Sequence, residues 1–349
     1  MSILVINSGS TSIKYKLFAD DEKEIKQGNL ESVSDHLSGL KQILRQIGDL
    51  RDLAAVGHRV VHGGDKFIKP LDISEENFLE LEKYNELAPL HNPYNLAGIR
   101  AAMEYLPRIK QVAVFDTAFF ADLPETARRY ALPAELAERY KLYRYGFHGL
   151  SHQYIAQAAA GELKIAVNKI NLISCHLGGG WSVAAIKAGK PIDISMGWTP
   201  LEGLVMMTRT GDLDPGIVLG LLKLLPGEIN EEKINRLENI LNRRSGIKGL
   251  AGVDNFLELI KKMSLGDEEA KLAFDIAVSR LVKYIGAYFT ELEGRVDAIV
   301  FTGAIGAGNP LTRNRAMAKL KCLGKLPMLA IKTNEELMIM REVNKLIGK

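Results

Sequence analysis

One unit recurs in this chain, and its recurrence limits the possible fold more than any other feature. Ile3-Leu4-Val5-Ile6 is a short apolar run of the kind a buried strand needs. Asn7-Ser8-Gly9-Ser10-Thr11-Ser12 follows, dense in turn formers. Ile13-Lys14-Tyr15-Lys16-Leu17 then alternates apolar and polar residues, as a half-buried strand does. Far downstream, Asn171-Leu172-Ile173-Ser174-Cys175 leads into His176-Leu177-Gly178-Gly179-Gly180, and the chain returns through Trp181-Ser182-Val183-Ala184-Ala185-Ile186. Asn7 and His176 hold equivalent places, each just ahead of a glycine-bearing turn. The pattern predicts a duplicated architecture, with one hairpin opening each half of the chain.

A third glycine-rich turn, Gly303-Ala304-Ile305-Gly306-Ala307-Gly308, follows the apolar run Ala298-Ile299-Val300-Phe301. Phe274, Val278, Leu281, Ile285, Tyr288 and Leu292 recur at helical spacing and read as the core-facing stripe of one long helix. The last helix opens with Thr333-Asn334-Glu335-Glu336, a capping-box pattern with Thr333 as the cap. Strands and helices interleave throughout, which makes the class α/β.

At 349 residues the chain is long enough for about two domains of ~150 residues each. Its 45 basic and 42 acidic side chains nearly cancel, which argues against nucleic acid or an anionic membrane as partner. No apolar run approaches the ~20 residues of a membrane helix, and MSILVINSGS lacks the features of a signal peptide. Cys175 and Cys322 cannot build a disulfide framework or a cysteine zinc site. The expectation is a soluble cytoplasmic protein.

Of the seven histidines, His58 and His62 stand four apart in Gly57-His58-Arg59-Val60-Val61-His62-Gly63-Gly64. That spacing binds zinc on a helix, whereas the flanking valines indicate a strand, so zinc is disfavoured. The glycine turns make better sense as phosphate cradles. Without side chains, successive backbone N–H groups can close around an anion. One such turn alone reads as a tight hairpin; three, each after an apolar strand, point to phosphate handling. None has the P-loop or dinucleotide-fold spacing. Phosphoryl transfer also needs cations around the moving group. Arg59 and Arg209 are candidates, with pairing of Arg209 to Asp212 or Asp214 as the structural alternative. Asp116 ends the run Val112-Ala113-Val114-Phe115, at the strand terminus where α/β ligands collect.

At these residues the chain resembles the acetate kinases. Val5 to Lys14, Gly57 to Gly64, Leu90-His91-Asn92-Pro93 and Phe115-Asp116-Thr117-Ala118-Phe119 follow the family's order. So do Tyr145-Gly146-Phe147-His148-Gly149, Ser195 to Gly203, Thr208-Arg209-Thr210-Gly211-Asp212 and Thr333 to Leu337. The resemblance implies an α/β fold of the sugar kinase, Hsc70 and actin type, two similar domains around a central cleft. Residues 1–147 with 333–349 would form one domain and 148–332 the other. It implies a homodimer that reversibly transfers the γ-phosphoryl group of ATP to a short carboxylate, acetate first, with Mg²⁺ or Mn²⁺. By the same resemblance, Asn7 and Glu335 hold the metal. Ser10, Ser12 and Lys14 serve the first phosphate loop, and His176, Gly178, Gly179 and Gly180 the second. Arg59, Asp116, His148 and Arg209 are catalytic. Val61, Leu90, His91, Phe147 and Pro200 line the acceptor site, while Asp254, Gly303 and Gly306 lie on the nucleotide side.

The departures alter the nucleotide side most. The chain is shorter than typical members by several tens of residues. Gly179 stands where the family usually has Asn. Ala307-Gly308 replace Glu-Asn, Phe120 replaces a common His, and no arginine follows Asp254-Asn255-Phe256. These changes leave open another donor, a different nucleoside triphosphate or pyrophosphate, and also a silent relative that only binds nucleotide or acyl phosphate.

Overall fold

The alternation in Ile3-Leu4-Val5-Ile6 decides how the first sheet is covered. Ile3 and Val5 pack on one face with Phe18, Val112, Val114 and Leu150, against Met338, Ile339 and Val343 of the C-terminal helix Glu335–Leu346. Leu4 and Ile6 face the other side, with Ile13, Tyr15, Leu40 and Ile43. Both faces are therefore buried, as strands in an α/β sheet require.

The computed structural model describes residues 1–33 and 35–348 and divides into two units. The first holds Met1–Asp122, Phe147–Tyr154 and Asn334–Lys349; the second holds Leu123–Gly146 and Ile155–Thr333. The first sheet contains β1 (Ser2–Ser8), β2 (Ser12–Ala19), β3 (Glu24–Glu31), β4 (Leu53–Val60), β5 (Leu71–Asp72) and β6 (Lys110–Phe115), in the order β3-β2-β1-β4-β6-β5. The second contains β7 (Leu172–Leu177), β8 (Trp181–Lys187), β9 (Lys190–Ile194), β10 (Ala298–Thr302) and β11 (Met328–Ala330), in the order β11-β10-β7-β8-β9. In each sheet an antiparallel three-stranded meander is followed by two parallel strands on the inner side of its first strand. The duplicated hairpin thus reflects a duplicated sheet, with β5 the only addition among the described residues.

The units part from the expected boundaries at two segments. Leu123–Gly146 falls in the second unit, where Arg144 donates to the carbonyls of Ile194 and Met196 and Tyr145 N–H to that of Gly197. Phe147–Tyr154 falls in the first, where Gly149 N–H donates to the Asp116 carbonyl and Leu150 joins the core. Two local expectations are corrected. The cap of the last helix is Asn334, which accepts from Leu337 N–H; the Thr333 hydroxyl is buried and bonds to nothing described. The third glycine turn is a single helical turn, Gly303–Gly306. The long helix Glu268–Glu291 buries the predicted stripe from Phe274 to Tyr288. No described helix is long and apolar enough to cross a membrane.

His58 lies on β4 and is buried, its Nε2 2.9 Å from Gln111 Oε1. Gln111 donates its own amide to the Ile109 carbonyl, so the histidine is the donor in that pair. Burial, opposed by this hydrogen bond, pushes its pKa down to about 4. The unfolded chain binds a proton near pH 6.5 and the folded one does not, so stability is lost as pH falls from 6.5 to 4. The loss attributable to His58 is roughly 3 kcal/mol. Urea unfolding across this range should show a shallower pH slope in His58→Gln; equal slopes would refute the assignment.

Candidate active site

In the first unit the site grows from the C-terminal ends of β1, β4 and β6. Gly9 N–H donates to the Ser12 carbonyl at 2.8 Å and closes the turn between β1 and β2. Asn7 pairs with Lys14 across that hairpin, so both project from one face. Ser10 and Lys14 are exposed, and Ser12 is half-buried. The amide side chain of Asn7 has no partner among the described residues.

Arg59 precedes the last residue of β4, and Asp116 follows β6, beside it. Arg59 Nη2 and Nε lie 2.6 and 3.1 Å from Asp116 Oδ2, and Nη1 lies 3.7 Å from Glu335. Burial works against the Arg59 charge, but the carboxylates of Asp116, Glu335 and Glu336 more than offset it, and its pKa is raised. Glu335 sits in the first turn of its helix. His148 adopts a left-handed backbone with φ of 60°. Such a conformation costs a non-glycine residue on the order of 1–3 kcal/mol and marks a position the surroundings impose. The next residue must be glycine, because a Cβ on Gly149 would stand 2.0 Å from the Asp116 carbonyl. That approach keeps His148 close to Asp116.

Phe147 is buried, with its ring edge-on to His62 at 5.4 Å, and Val61 is half-buried beside it in sequence. Leu90 and His91 lead into the helix Asn92–Tyr105, with His91 at its cap position. The zinc pairing of His58 with His62 does not form: His62 Nδ1 accepts from Gly64 N–H, and His58 is held by Gln111.

In the second unit the loops gather around Arg209. The turn Gly178 to Gly180 is drawn toward this segment, for Met207 N–H donates to the Gly179 carbonyl. His176 is buried at the end of β7, while Gly179 is exposed and a Cβ there would meet nothing. Gly303 packs against the Leu177 backbone, and Gly306 against Leu177 and Cys175. Lys248, in the helix Gly246–Ala251, donates its backbone N–H to Met207 and its ammonium to Asp254 at 2.7 Å. That ion pair holds the Asp254 carboxyl below the usual carboxylate range.

Arg209 itself pairs with neither expected acid. Asp212 accepts from Gly203 N–H and Tyr284 and meets Arg280 at 3.0 Å; Asp214 caps the helix Pro215–Leu224. The Arg209 guanidinium instead donates to the Pro200 carbonyl at 3.3 Å, and its burial lowers its pKa. A half-buried cation with no carboxylate beside it loses hydration without compensation until an anion arrives.

Three supporting groups carried no role in the sequence reading. Glu202 meets Arg144 at 2.7 Å and accepts from the Tyr130 hydroxyl, bracing the loop that carries Pro200. Asn92 and Asn95 are buried polar residues on one helix face, hydrogen-bonded to the strand ends. The Asn-x-x-Asn spacing on an apolar helix was the available signal.

A model of the acetokinase family matches residues 20–339. An acetate kinase of Thermotoga maritima is 41% identical over 408 aligned positions, covering 100% of this chain and 99% of that protein. The crystal structure of Porphyromonas gingivalis acetate kinase superposes with a TM-score of 0.91 at 34% identity, covering 99% of both chains. A propionate kinase structure from Francisella tularensis subsp. tularensis gives 0.90 at 35% identity, covering 98% of both.

Proposed function

Because the chain belongs to the acetokinase family and is a phosphotransferase, we propose that it reversibly transfers the γ-phosphoryl group of ATP to acetate, yielding acetyl phosphate and ADP. Its fold is of the sugar kinase, Hsc70 and actin type. The observation that carries the reading is Arg209, a half-buried guanidinium with no acid partner among the described residues. An acyl carboxylate is already a nucleophile, so the reaction needs no strong base. One carboxylate oxygen bonds to the γ-phosphorus as the bond to the β-phosphate oxygen breaks. The protein's part is positioning and charge stabilisation.

Arg209 would face the equatorial oxygens of the moving group, and Arg59, oriented by Asp116, would hold the acceptor side. His148 would donate to the same oxygens. Val61, Leu90, Phe147 and Pro200 would enclose the methyl group, with His91 near them. Ser10, Ser12, Lys14, His176 and Gly178 to Gly180 would hold the donor phosphates, and Asp254, Gly303 and Gly306 the nucleoside. Asn7 and Glu335 suit Mg²⁺, since both offer oxygen and the Asn7 amide has no partner among the described residues. When bound, the ion would neutralise charge on the donor phosphates.

Hydroxamate formation from acetate, Mg²⁺ and hydroxylamine tests the reading, run in parallel with ATP, GTP and pyrophosphate. Product with ATP is expected. A folded protein that gives none with any donor would overturn the enzyme, and product with pyrophosphate alone would change the donor.

A second copy of the chain is the partner proposed for the helix Pro215–Leu224. None of its residues is buried, and Ile217, Leu219 and Leu224 are 46%, 60% and 81% exposed. Its face continues into a groove of about 680 Å³ that includes Trp198, Leu213 and Val218. An apolar face of this kind suits an isologous contact. Sedimentation should give a dimer that Leu219→Lys dissociates; a 38.5 kDa parent species at micromolar concentration would refute it.

A further inference from the structure

The parallel ladder between β1 and β4 ends before the strands do. Its register runs to Ile6 opposite His58, and beyond that point the two strand ends separate. The residues past the fork matter most to the proposed reaction. Asn7 and the first phosphate turn follow on one side, Arg59 and Val61 on the other. A fork of this kind leaves backbone groups without ladder partners, and buried ones must find others.

Asn95 sits in that fork. It is 4% exposed, on the helix Asn92–Tyr105. Its Oδ1 accepts from Val61 N–H at 3.1 Å, and its Nδ2 donates to the Ser8 carbonyl at 2.6 Å. One side-chain amide thus bonds both strand ends, much as an inserted peptide group would. Its neighbours on the same helix face make the approach possible. Three residues earlier, Asn92 grips the His62 backbone, accepting from its N–H at 3.0 Å and donating to its carbonyl at 2.9 Å. Three residues later comes Gly98, where a Cβ would stand 2.1 Å from Ser8 Oγ. The helix is therefore pressed onto the end of β1 with Asn95 at the centre.

We propose that Asn95 is a positioning residue that locks the first phosphate turn to the acceptor pocket. This rests on the functional reading above for its catalytic consequence, though the lock itself is a property of the fold. The Asn95 amide serves both bonds, accepting through Oδ1 and donating through Nδ2. A carboxylate accepts from Val61 N–H but cannot donate to the Ser8 carbonyl, and an aliphatic side chain does neither.

The difference between Asp and Leu provides the test. Per folded enzyme, as measured by urea unfolding, Asn95→Leu should lower kcat roughly 10- to 100-fold and raise KM for both substrates, the scale of a misplaced reacting group. Asn95→Asp should raise KM for the nucleotide more than for the carboxylate. Amide hydrogen exchange reads the lock without any turnover. Val61 and Gly9 should both exchange faster in Asn95→Leu, and Gly9 alone in Asn95→Asp. Gly98→Ala should reproduce the Gly9 effect if Asn95→Leu does not fold. Unchanged exchange at Val61 and Gly9 would overturn the lock, whatever the activity. Faster exchange with unaltered kinetic constants in an active enzyme would overturn its catalytic consequence. A parent protein that forms no hydroxamate would instead count against the functional reading, leaving the exchange result to decide the lock.

Discussion

Arg209→Ala should lower turnover at least ~10²-fold while leaving the unfolding free energy unchanged or higher, the scale set by losing one charge partner of a transition state. The two halves of this expectation share a cause. The guanidinium is half-buried and so partly desolvated in the folded protein, and its partners are the Pro200 carbonyl and, at 3.8 Å, the Met206 sulfur. No carboxylate repays that desolvation, so folding is opposed by the charge that the reaction needs. Removing it takes away a cost along with the function. Lysine should rescue poorly, since it cannot reproduce the planar fork. Steady-state kinetics together with urea unfolding check the claim. A loss of more than about 1 kcal/mol of stability would mean that Arg209 is structural after all, as would near-normal turnover.

Arg59→Ala should lose comparable activity with the opposite effect on stability. Here the guanidinium forms two hydrogen bonds with Asp116, a carboxylate 1% exposed, and has Glu335 at 3.7 Å. Truncation leaves that buried carboxylate without its guanidinium, which costs roughly 3 kcal/mol or more. The double variant Arg59→Ala/Asp116→Ala should recover part of the lost stability and none of the turnover, because it removes the buried carboxylate while the clamp stays absent. Additive destabilisation in the double variant would show that the pair is not coupled as its geometry says.

What could be read from the sequence was local or periodic. The two hairpins follow from apolar runs flanking turn formers, and their duplication carries over to two sheets of one strand order. The stripe on the helix Glu268–Glu291 follows from 3.6-residue periodicity, and Asp116 stands at a strand end because the apolar run stops there. Candidate site residues were legible as types: small turns, fixed cations, hydroxyls. Their partnerships were not. Whether Arg209 met Asp212 or only the Pro200 carbonyl depended on Arg280 and Tyr284, distant in the chain, claiming that carboxylate. The cap at Asn334 in place of Thr333 was a choice between adjacent residues with equal chemical claims, decided by the path of the incoming chain. Asn95 read as one polar residue in a helix until the fork between β1 and β4 gave both ends of its amide a partner. Periodicity and turn chemistry act over a few residues, so the sequence by itself determined the elements and the groups available for chemistry. Burial and hydrogen-bond competition act between segments brought together only on folding, and these decided which cation stays uncompensated and which side chains hold the strand ends.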